Sequence, residues 1–434
     1  MLTREQNELL CRVEGDAPMG GLMRRHWLPV CLSEEVAERD GAPVRSRLLG
    51  ENLVAFRDSD GRLGVLSEYC LHRRASLAFG RNEECGLRCL YHGWKFDVEG
   101  NVIDMPSEAP GAAQRLGKKT QAYPAREAGG FVWIWMGAAS EMRDFEPPAW
   151  APKPGIKYAI VKMWTDCNWA QVLEGSIDSA HSSSLHSTNM PAAEDVHGST
   201  ATDEAWLRPS NDKAPRLQFE PTPYGFRYAA IRKPIKNPET HQYVRTTLFI
   251  APFTVLIPPN NRYNLAQMLV PIDDLNTMFY WIAWHPDPAK GISQEAWRRF
   301  CAAEVGVDLD ANFRKKRTLA NNYLQDREAM KRGDWTGITG IPAQDMAMWE
   351  SMGRITDRSE DQFGSSDLAV AQFRRMMVAA VQKFQQGSPA IGTPGWSKEP
   401  LPPQVKLASF EGVVPKSTDW RTLGVPAGES VTAK

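Results

Sequence analysis

Cys70-Leu71-His72 and Cys89-Leu90-Tyr91-His92 each set one thiol beside one imidazole. Pairs of this kind suit two loop tips that clamp a metal from opposite sides, because thiolate and neutral imidazole are both good donors. A structural zinc ion is one occupant of a set of two Cys and two His. The residue order argues for another, since zinc fingers pair Cys with Cys and His with His. Alternating pairs let both cysteines take one iron of a two-iron cluster and both histidines the other. A second constellation follows in Asn168-Trp169, Glu174, Asp178, His181 and His186. At about 100° per residue, Glu174, Asp178 and His181 share a helix face, whereas His186 is rotated by roughly 140° from His181. Both histidines reach one metal only if the helix breaks between them, and Ser182-Ser183-Ser184 suits a break because serine holds helix weakly. Taken alone, His-x4-His reads first as a polar helix end with two unrelated histidines.

The two Cys/His pairs, within Cys70-Leu-His72-Arg73-Arg74 and Cys89-Leu-Tyr-His92-Gly93-Trp94, resemble the halves of a Rieske [2Fe-2S] domain. Leu71 stands where that family usually has Pro; it is not a ligand, and the expected effect is on loop stiffness alone. About ninety residues on, Asp178-x2-His181-x4-His186 resembles the mononuclear iron motif of Rieske non-haem oxygenases, a facial triad of two histidines and one carboxylate with open positions for O2 and substrate. The third ligand must come from elsewhere. Asn321 to Glu328 offers Asp326, on a helix face with Leu319, Tyr323 and Met330, and Glu328, on a more solvent-like face. Asp326 is the expected ligand, in agreement with the family's placement. By the resemblance, Asn168 and Asp178 belong to the catalytic machinery. Asp178 would bridge His181 and His92 of the partner subunit, which implies a ring of subunits, a trimer or dimer of trimers.

Cys167-Asn-Trp-Ala-Gln, Glu174 to His186, Gln325 to Glu328 and Ser366-Asp-Leu-Ala-Val resemble the oxygenase components of phthalate dioxygenase and its relatives. The resemblance implies an aromatic carboxylate substrate held by Arg208 and Arg245, with Ser179 as a further polar contact. Guanidinium groups grip carboxylates with two hydrogen bonds. Arg245 lies in a strand otherwise rich in Thr, Leu, Phe and Ile, where a charge needs a reason; the alternative for either arginine is a surface charge or internal ion pair. Phe249, Phe253 and Val255 read equally as pocket wall or core. The resemblance says least about the loop from Ser187 to Ala205. It further implies that a separate flavin and iron–sulfur reductase, fed by NADH or NADPH, supplies electrons for cis-dihydroxylation with O2. The chain itself carries no glycine-rich dinucleotide fingerprint.

With 434 residues, net charge −1 and pI near 6.7, the chain has room for two domains and no bias toward nucleic acid or anionic membrane. Charges at Arg4, Glu5, Glu8, Arg12, Glu14 and Asp16 argue against a signal peptide, and no apolar run is long enough for a bilayer; a cytoplasmic protein is expected. The seven cysteines, at 11, 31, 70, 85, 89, 167 and 301, read as reduced, with Cys85 an ordinary hairpin residue.

Thr3 and Gln6 form a candidate capping box for a helix over 3–15. Short β runs and turns follow, including a hairpin about Asp58-Ser-Asp-Gly61. The expected fold is α+β: a helical segment over 1–30, an all-β Rieske domain over 31–147, and a catalytic domain over 148–434. Proline-dense 145–154 marks the boundary. The catalytic domain is expected to be helix-grip-like, an antiparallel sheet flanked by helices. Its helix at 167–186 precedes strands at 225–231, 244–257, 263–270 and 277–285; helices follow at 293–305, 309–332 and from Ser365 to Gly387, then a surface tail. Two rivals remain within reach of the same residues. A monooxygenase, O-demethylase or angular dioxygenase on isophthalate, terephthalate, phenoxybenzoate or methoxybenzoate would use the same metals. A Rieske electron carrier with an inert extension would need none of the second site.

Overall fold

The computed structural model describes residues 2–151, 155–197 and 206–424. Part of the expected boundary (152–154), part of the Ser187–Ala205 loop (198–205) and the end of the tail (425–434) lie outside the described residues. The chain divides into two compact units, one of Val13–Phe145, the other of Met1–Arg12 with Glu146–Lys434. The division differs at the N-terminus from the three-part reading. Helix α1 (Arg4–Cys11), with the Thr3–Gln6 capping box as expected, belongs with the second unit, where Asn7 donates to Thr356 O and Asn168 donates to Cys11 O. Residues 13–30 belong with the first, because Trp27–Leu32 pairs with Phe131–Trp135.

The first unit starts with the short helix α2 (Pro18–Met23) and holds three small antiparallel sheets. Strands β1 (Trp27–Leu32), β2 (Val44–Leu48), β3 (Glu51–Arg57), β4 (Leu63–Ser67), β5 (Arg81–Glu83), β6 (Gly86–Arg88), β7 (Lys95–Phe96), β8 (Val102–Asp104), β9 (Ala125–Ala128) and β10 (Phe131–Trp135) form them in the orders β1-β10-β9, β2-β3-β4 and β5-β6-β7-β8; helix α3 (Ala112–Leu116) follows β8. Cys70 follows β4 and Cys89 lies between β6 and β7, both inside a core of Val54, Phe56, Leu66, Leu77 and Leu87. Cys85 sits in the β5–β6 turn at φ 58°, the ordinary hairpin residue expected of it.

The second unit is built on one eight-stranded antiparallel sheet. Strands β11 (Tyr158–Thr165), β12 (Arg216–Thr222), β13 (Gly225–Arg232), β14 (His241–Ile250), β15 (Thr254–Ile257), β16 (Asn264–Pro271) and β17 (Thr277–Trp284) run in the order β11-β17-β16-β15-β14-β13-β12. The expected single strand over 244–257 is therefore two, β14 and β15. The tail is more than surface covering. Its strand β18 (Phe410–Pro415) takes the edge of β14 that β15 leaves free, placing Glu411 directly opposite Arg245. Helix α4 (Trp169–Ser176) packs on β15, β16 and β17. Helix α5 (Gln294–Phe300) is shorter than expected, and the helix expected over 309–332 is broken. A 3-10 turn over Leu319–Leu324 contains left-handed Asn322 and Tyr323, and α6 (Arg327–Lys331) starts afresh. Helix α7 (Ile341–Ser351), absent from the sequence reading, packs against α4. The last helix, α8 (Leu368–Gln385), follows Ser365–Asp367 and ends before left-handed Gly387, close to expectation.

Glu174 ties three of these helices together. Its carboxylate lies 2.7 Å from Arg358 and 2.8 Å from Arg374, and Arg358, fully buried, also donates to Asn7 Oδ1 in α1. Burial opposes its charge, but the two guanidinium groups outweigh that and hold Glu174 below the ordinary glutamate value. Its contribution is thus full above that value and lost as pH falls through the depressed one. Glu174→Gln leaves two buried cations short of a partner, at a cost of about 3–5 kcal/mol. The expected result is a fall of roughly 10 °C in the melting temperature; a shift within 2 °C or so in calorimetry would deny Glu174 this role.

Candidate metal centres and an acid-binding cavity

The two cluster loops share one backbone frame. Cys70 N donates to Ala75 O and Arg74 N to Cys70 O; Cys89 N donates to Trp94 O and Gly93 N to Cys89 O. Each loop therefore closes five residues after its cysteine, with a left-handed residue at the fifth position, Arg74 at φ 63° and Gly93 at φ 76°. In this common frame a histidine at the third position of one loop meets a histidine at the fourth of the other. Their ring centroids are 4.4 Å apart, and His72 stacks on Trp94 at 4.7 Å. Leu71 is exposed at the tip.

The residues fit a two-iron cluster better than a single ion. Among the described residues, the groups of three or more candidate ligands that fall within 4.8 Å of one another are His181–His186–Asp345 and Asp58–Asp60–Cys85. Four ligands around one zinc ion would meet that limit; ligands shared between two irons need not. His72 Nδ1 is buried without a hydrogen-bond partner, an orphaned donor atom that a metal would satisfy. Burial and the facing Cys89 push the Cys70 thiol up to about 11, against the backbone N–H groups of His72 and Arg73. A bound cation is what would draw that proton off.

In the second unit, α4 ends at Ser176 and the chain passes through Asp178 into a 3-10 turn at His181–Ser183. The helix expected over 167–186 thus ends before both histidines and not between them, and Asp178 and His181 do not share a helix face with Glu174. The two rings stand edge to face with centroids 5.1 Å apart. Asp345, on α7, brings Oδ1 to 3.0 Å from His186 Nε2 and 3.4 Å from His181 Nε2. Metal–nitrogen bonds of about 2.1 Å meeting at right angles place neighbouring donors about 3 Å apart, so Asp345 Oδ1 stands at the spacing of a neighbouring ligand from each imidazole. Of the far nitrogens, that of His186 is hydrogen-bonded, whereas that of His181 is buried with no hydrogen bond and only a carboxylate nearby. His186 Nδ1 donates to Gln344 Oε1 at 2.8 Å, and Asp178 Oδ2 lies 3.5 Å from His181 Nδ1. Burial opposes charge on His181, but Asp178 and Asp345 outweigh it and push the imidazolium up to about 10. For Asp345, burial is likewise outweighed, here by the two imidazoles, which pull it down to about 2. The pocket is tuned to hold positive charge between its carboxylates.

The carboxylate expected from the sequence is elsewhere. Asp326 is the N-cap of α6, accepting from Glu328 N at 2.8 Å and Ala329 N at 2.9 Å, with its side chain 55% exposed. The helix-face comparison assumed one continuous helix through 309–332, and the left-handed residues at 322–324 remove that premise. Glu328 is exposed and paired with Lys331. A signal for Asp345 did exist: Gln344-Asp345 sits in a run from Ile338 to Trp349 otherwise rich in Ile, Ala, Met and Trp, where a carboxylate needs a partner. Asn168 likewise has other work. Fully buried, it caps α4 through Ala170 N and donates to Cys11 O and Asp274 O, away from the histidines.

Beside the triad opens a cavity of about 70 Å³, lined by Asp178, Ser179, His181, His186, Asp345 and Arg245 among others. Arg245 is buried, with Glu411 3.7 Å away and with Nε and Nη1 lacking hydrogen-bond partners. Arg208 stands one layer back and donates to Ser183 Oγ at 3.0 Å and Ser182 Oγ at 2.9 Å. Phe249 and Phe253 are buried and do not line this cavity.

Residues 26–124 match the Rieske [2Fe-2S] domain, and residues 134–433 match the "LigXa C-terminal domain like" family. Over 97% of the chain and 94% of the relative, it is 57% identical to the phthalate 4,5-dioxygenase oxygenase subunit of Pseudomonas putida. The chain belongs to the Rieske non-haem iron ring-hydroxylating oxygenases. Another relative in this family, the 3-chlorobenzoate-3,4-dioxygenase oxygenase subunit of Comamonas testosteroni, is 35% identical over 97% of the chain and 98% of its own length. Among solved structures, the NdmA QL mutant from Pseudomonas putida CBB5, with caffeine, shares the fold at a TM-score of 0.59 and 17% identity, covering 88% of this chain and 99% of its own. A Rieske oxygenase of this kind carries a [2Fe-2S] cluster and a mononuclear iron. No helix among the described residues is long and apolar enough to cross a membrane.

Proposed function

We propose that this Rieske oxygenase is the oxygenase component of an aromatic-carboxylate dioxygenase of the phthalate type, working in the cytoplasm. The observation that carries the reading is a shared cavity: Arg245, buried, ion-paired with Glu411 and with Nε and Nη1 lacking hydrogen bonds, opens onto the same space as the His181–His186–Asp345 cluster. An aromatic acid anchored at Arg245 would lie with its ring toward that cluster. The 57% identical relative, named for phthalate, supports the choice of acid.

Cys70, His72, Cys89 and His92 would hold the cluster, and His181, His186 and Asp345 the mononuclear iron. Such an iron supplies three open positions at which O2 and substrate meet. Arg245 and Ser179 bind the carboxylate, Arg208 braces the serines behind them, and Gln344 and Asp178 fix the tautomers of the two histidines. Asp178 is further read as the bridge to His92 of the partner subunit in a trimer or dimer of trimers. Electrons come from NADH or NADPH by way of a separate flavin and iron–sulfur reductase.

The test is turnover by the anaerobically purified protein with a Rieske reductase, NADH and O2, offered phthalate, isophthalate, terephthalate, 3-phenoxybenzoate and a methoxybenzoate. Consumption of phthalate with a cis-dihydrodiol product is expected. Formaldehyde from the methoxybenzoate, with phthalate untouched, would replace the dioxygenase reading with O-demethylation.

A further inference from the structure

Arg232 was not singled out by the sequence, yet it completes a cluster of three buried guanidinium groups. It ends β13 and pairs with Tyr243 of β14, so its side chain leaves the sheet on the same face as Arg245 two residues further along. Arg232 is 2% exposed. Its Nη2 donates to Ser179 O at 2.7 Å and to Ser183 Oγ at 3.4 Å, its Nη1 to Ser179 Oγ at 3.3 Å, and its Nε is buried without a partner.

The charges around these groups do not balance. Arg208 and Arg232 meet serine oxygens and a backbone carbonyl, all uncharged. Glu411 faces Arg245, and its carboxylate also accepts from the Tyr243 hydroxyl. Asp212, the next carboxylate with an influence on Arg232, is committed to the backbone N–H groups of Lys233 and Ala214. Burial first and Arg245 second pull Arg208 down to about 10 and lower Arg232 as well. Three guanidinium groups face Glu411 beside Arg245 and the more distant Asp212, so buried positive charge outnumbers the carboxylates acting on it, an arrangement that costs free energy unless a ligand brings balancing charge.

Ser179 connects this surplus to the cavity it lines. A hydroxyl that accepts from a guanidinium directs its own proton elsewhere, and here the open side is the cavity. Arg208 grips the neighbouring serines, and Ser182 Oγ donates to Ser179 O, so the segment between Asp178 and the histidines is held at several points.

We infer that Arg232 is a positioning residue that makes the cavity prefer a doubly charged acid: it turns Ser179 into a donor toward the ligand and adds to the buried positive charge that the nearby carboxylates do not match. The inference rests on the reading of the cavity as an aromatic-acid site. The experiment compares steady-state kinetics of the wild-type holoenzyme and Arg232→Met on phthalate, a dianion, and monomethyl phthalate, a monoanion on the same ring; the cluster's visible spectrum and iron content serve as controls. Expected is a rise in the phthalate KM of roughly 10–100-fold with a smaller change in kcat, while kcat/KM for the monoester moves by less than about 3-fold. An equal loss on both acids, or an unchanged preference, would overturn the assignment by showing a structural role or none. If Arg232→Met fails to carry its metals, Arg232→Lys keeps the charge but not the two-point grip on Ser179. A loss confined to phthalate supports the inference, and an equal loss overturns it. Wild-type enzyme that turns over neither acid would remove the cavity reading and this inference together.

Discussion

Asp345→Asn is expected to abolish turnover, by at least roughly 10³-fold, while the visible spectrum of the Rieske cluster is unchanged. The side chain is nearly isosteric, so packing along α7 survives; the change removes the anionic oxygen that stands 3.0 and 3.4 Å from the two imidazoles. Two histidines alone do not hold iron(II) on an open face, and iron analysis should show loss of the mononuclear iron with the cluster's two irons retained. The comparison that makes the result specific is Asp326→Ala. It removes an exposed helix cap, costs about 1 kcal/mol of stability, and should leave iron content and activity intact. Iron lost from the Asp326 variant and kept in Asp345→Asn would return the third ligand to its sequence-based position.

Asp178→Asn carries the second large effect. Asp178 Oδ1 accepts from Ala180 N at 2.7 Å, a contact an amide oxygen can keep, while Oδ2 faces His181 Nδ1 at 3.5 Å. The amide nitrogen there would meet an imidazole N–H with no acceptor. With the second metal ligands untouched, both metals should stay bound, but the imidazole loses the carboxylate that sets its tautomer and, by the bridging role proposed above, its link to the other centre. Re-oxidation of the reduced cluster in stopped flow should slow by about 100-fold. A rate within a factor of two of wild type would refute the bridge.

What was legible in the chain, and what was not, follows from how local each signal is. The cluster motif and the His181–His186 pair are encoded within a few residues, but the serine run at 182–184 misplaced the end of the helix, which comes at Ser176. The antiparallel sheet was visible in its long β runs. Asp345 was hidden for the opposite reason. It lies on a helix buried on nearly every side, from Ile341 through Glu350, so no face pattern announces α7. Asp326, by contrast, seemed to have a face because the stretch before it was read as helix, and left-handed Asn322, Tyr323 and Leu324 break that stretch. Arg232 and Glu411 gain meaning only from strand register: one stands diagonal to Arg245 across β13 and β14, the other opposite it on β18. Such pairings depend on residues far apart in sequence, and no window of the chain displays them.

The central claim is that a buried acid-binding cavity and a two-histidine, one-carboxylate iron site act together on an aromatic ring. The most direct measurement is a single turnover of the reduced protein with phthalate under ¹⁸O2, followed by mass analysis of the product. Both oxygen atoms of one O2 should appear on adjacent ring carbons of a cis-dihydrodiol. A product carrying a single labelled oxygen, or phthalate recovered unchanged while the cluster is oxidised, would contradict the account.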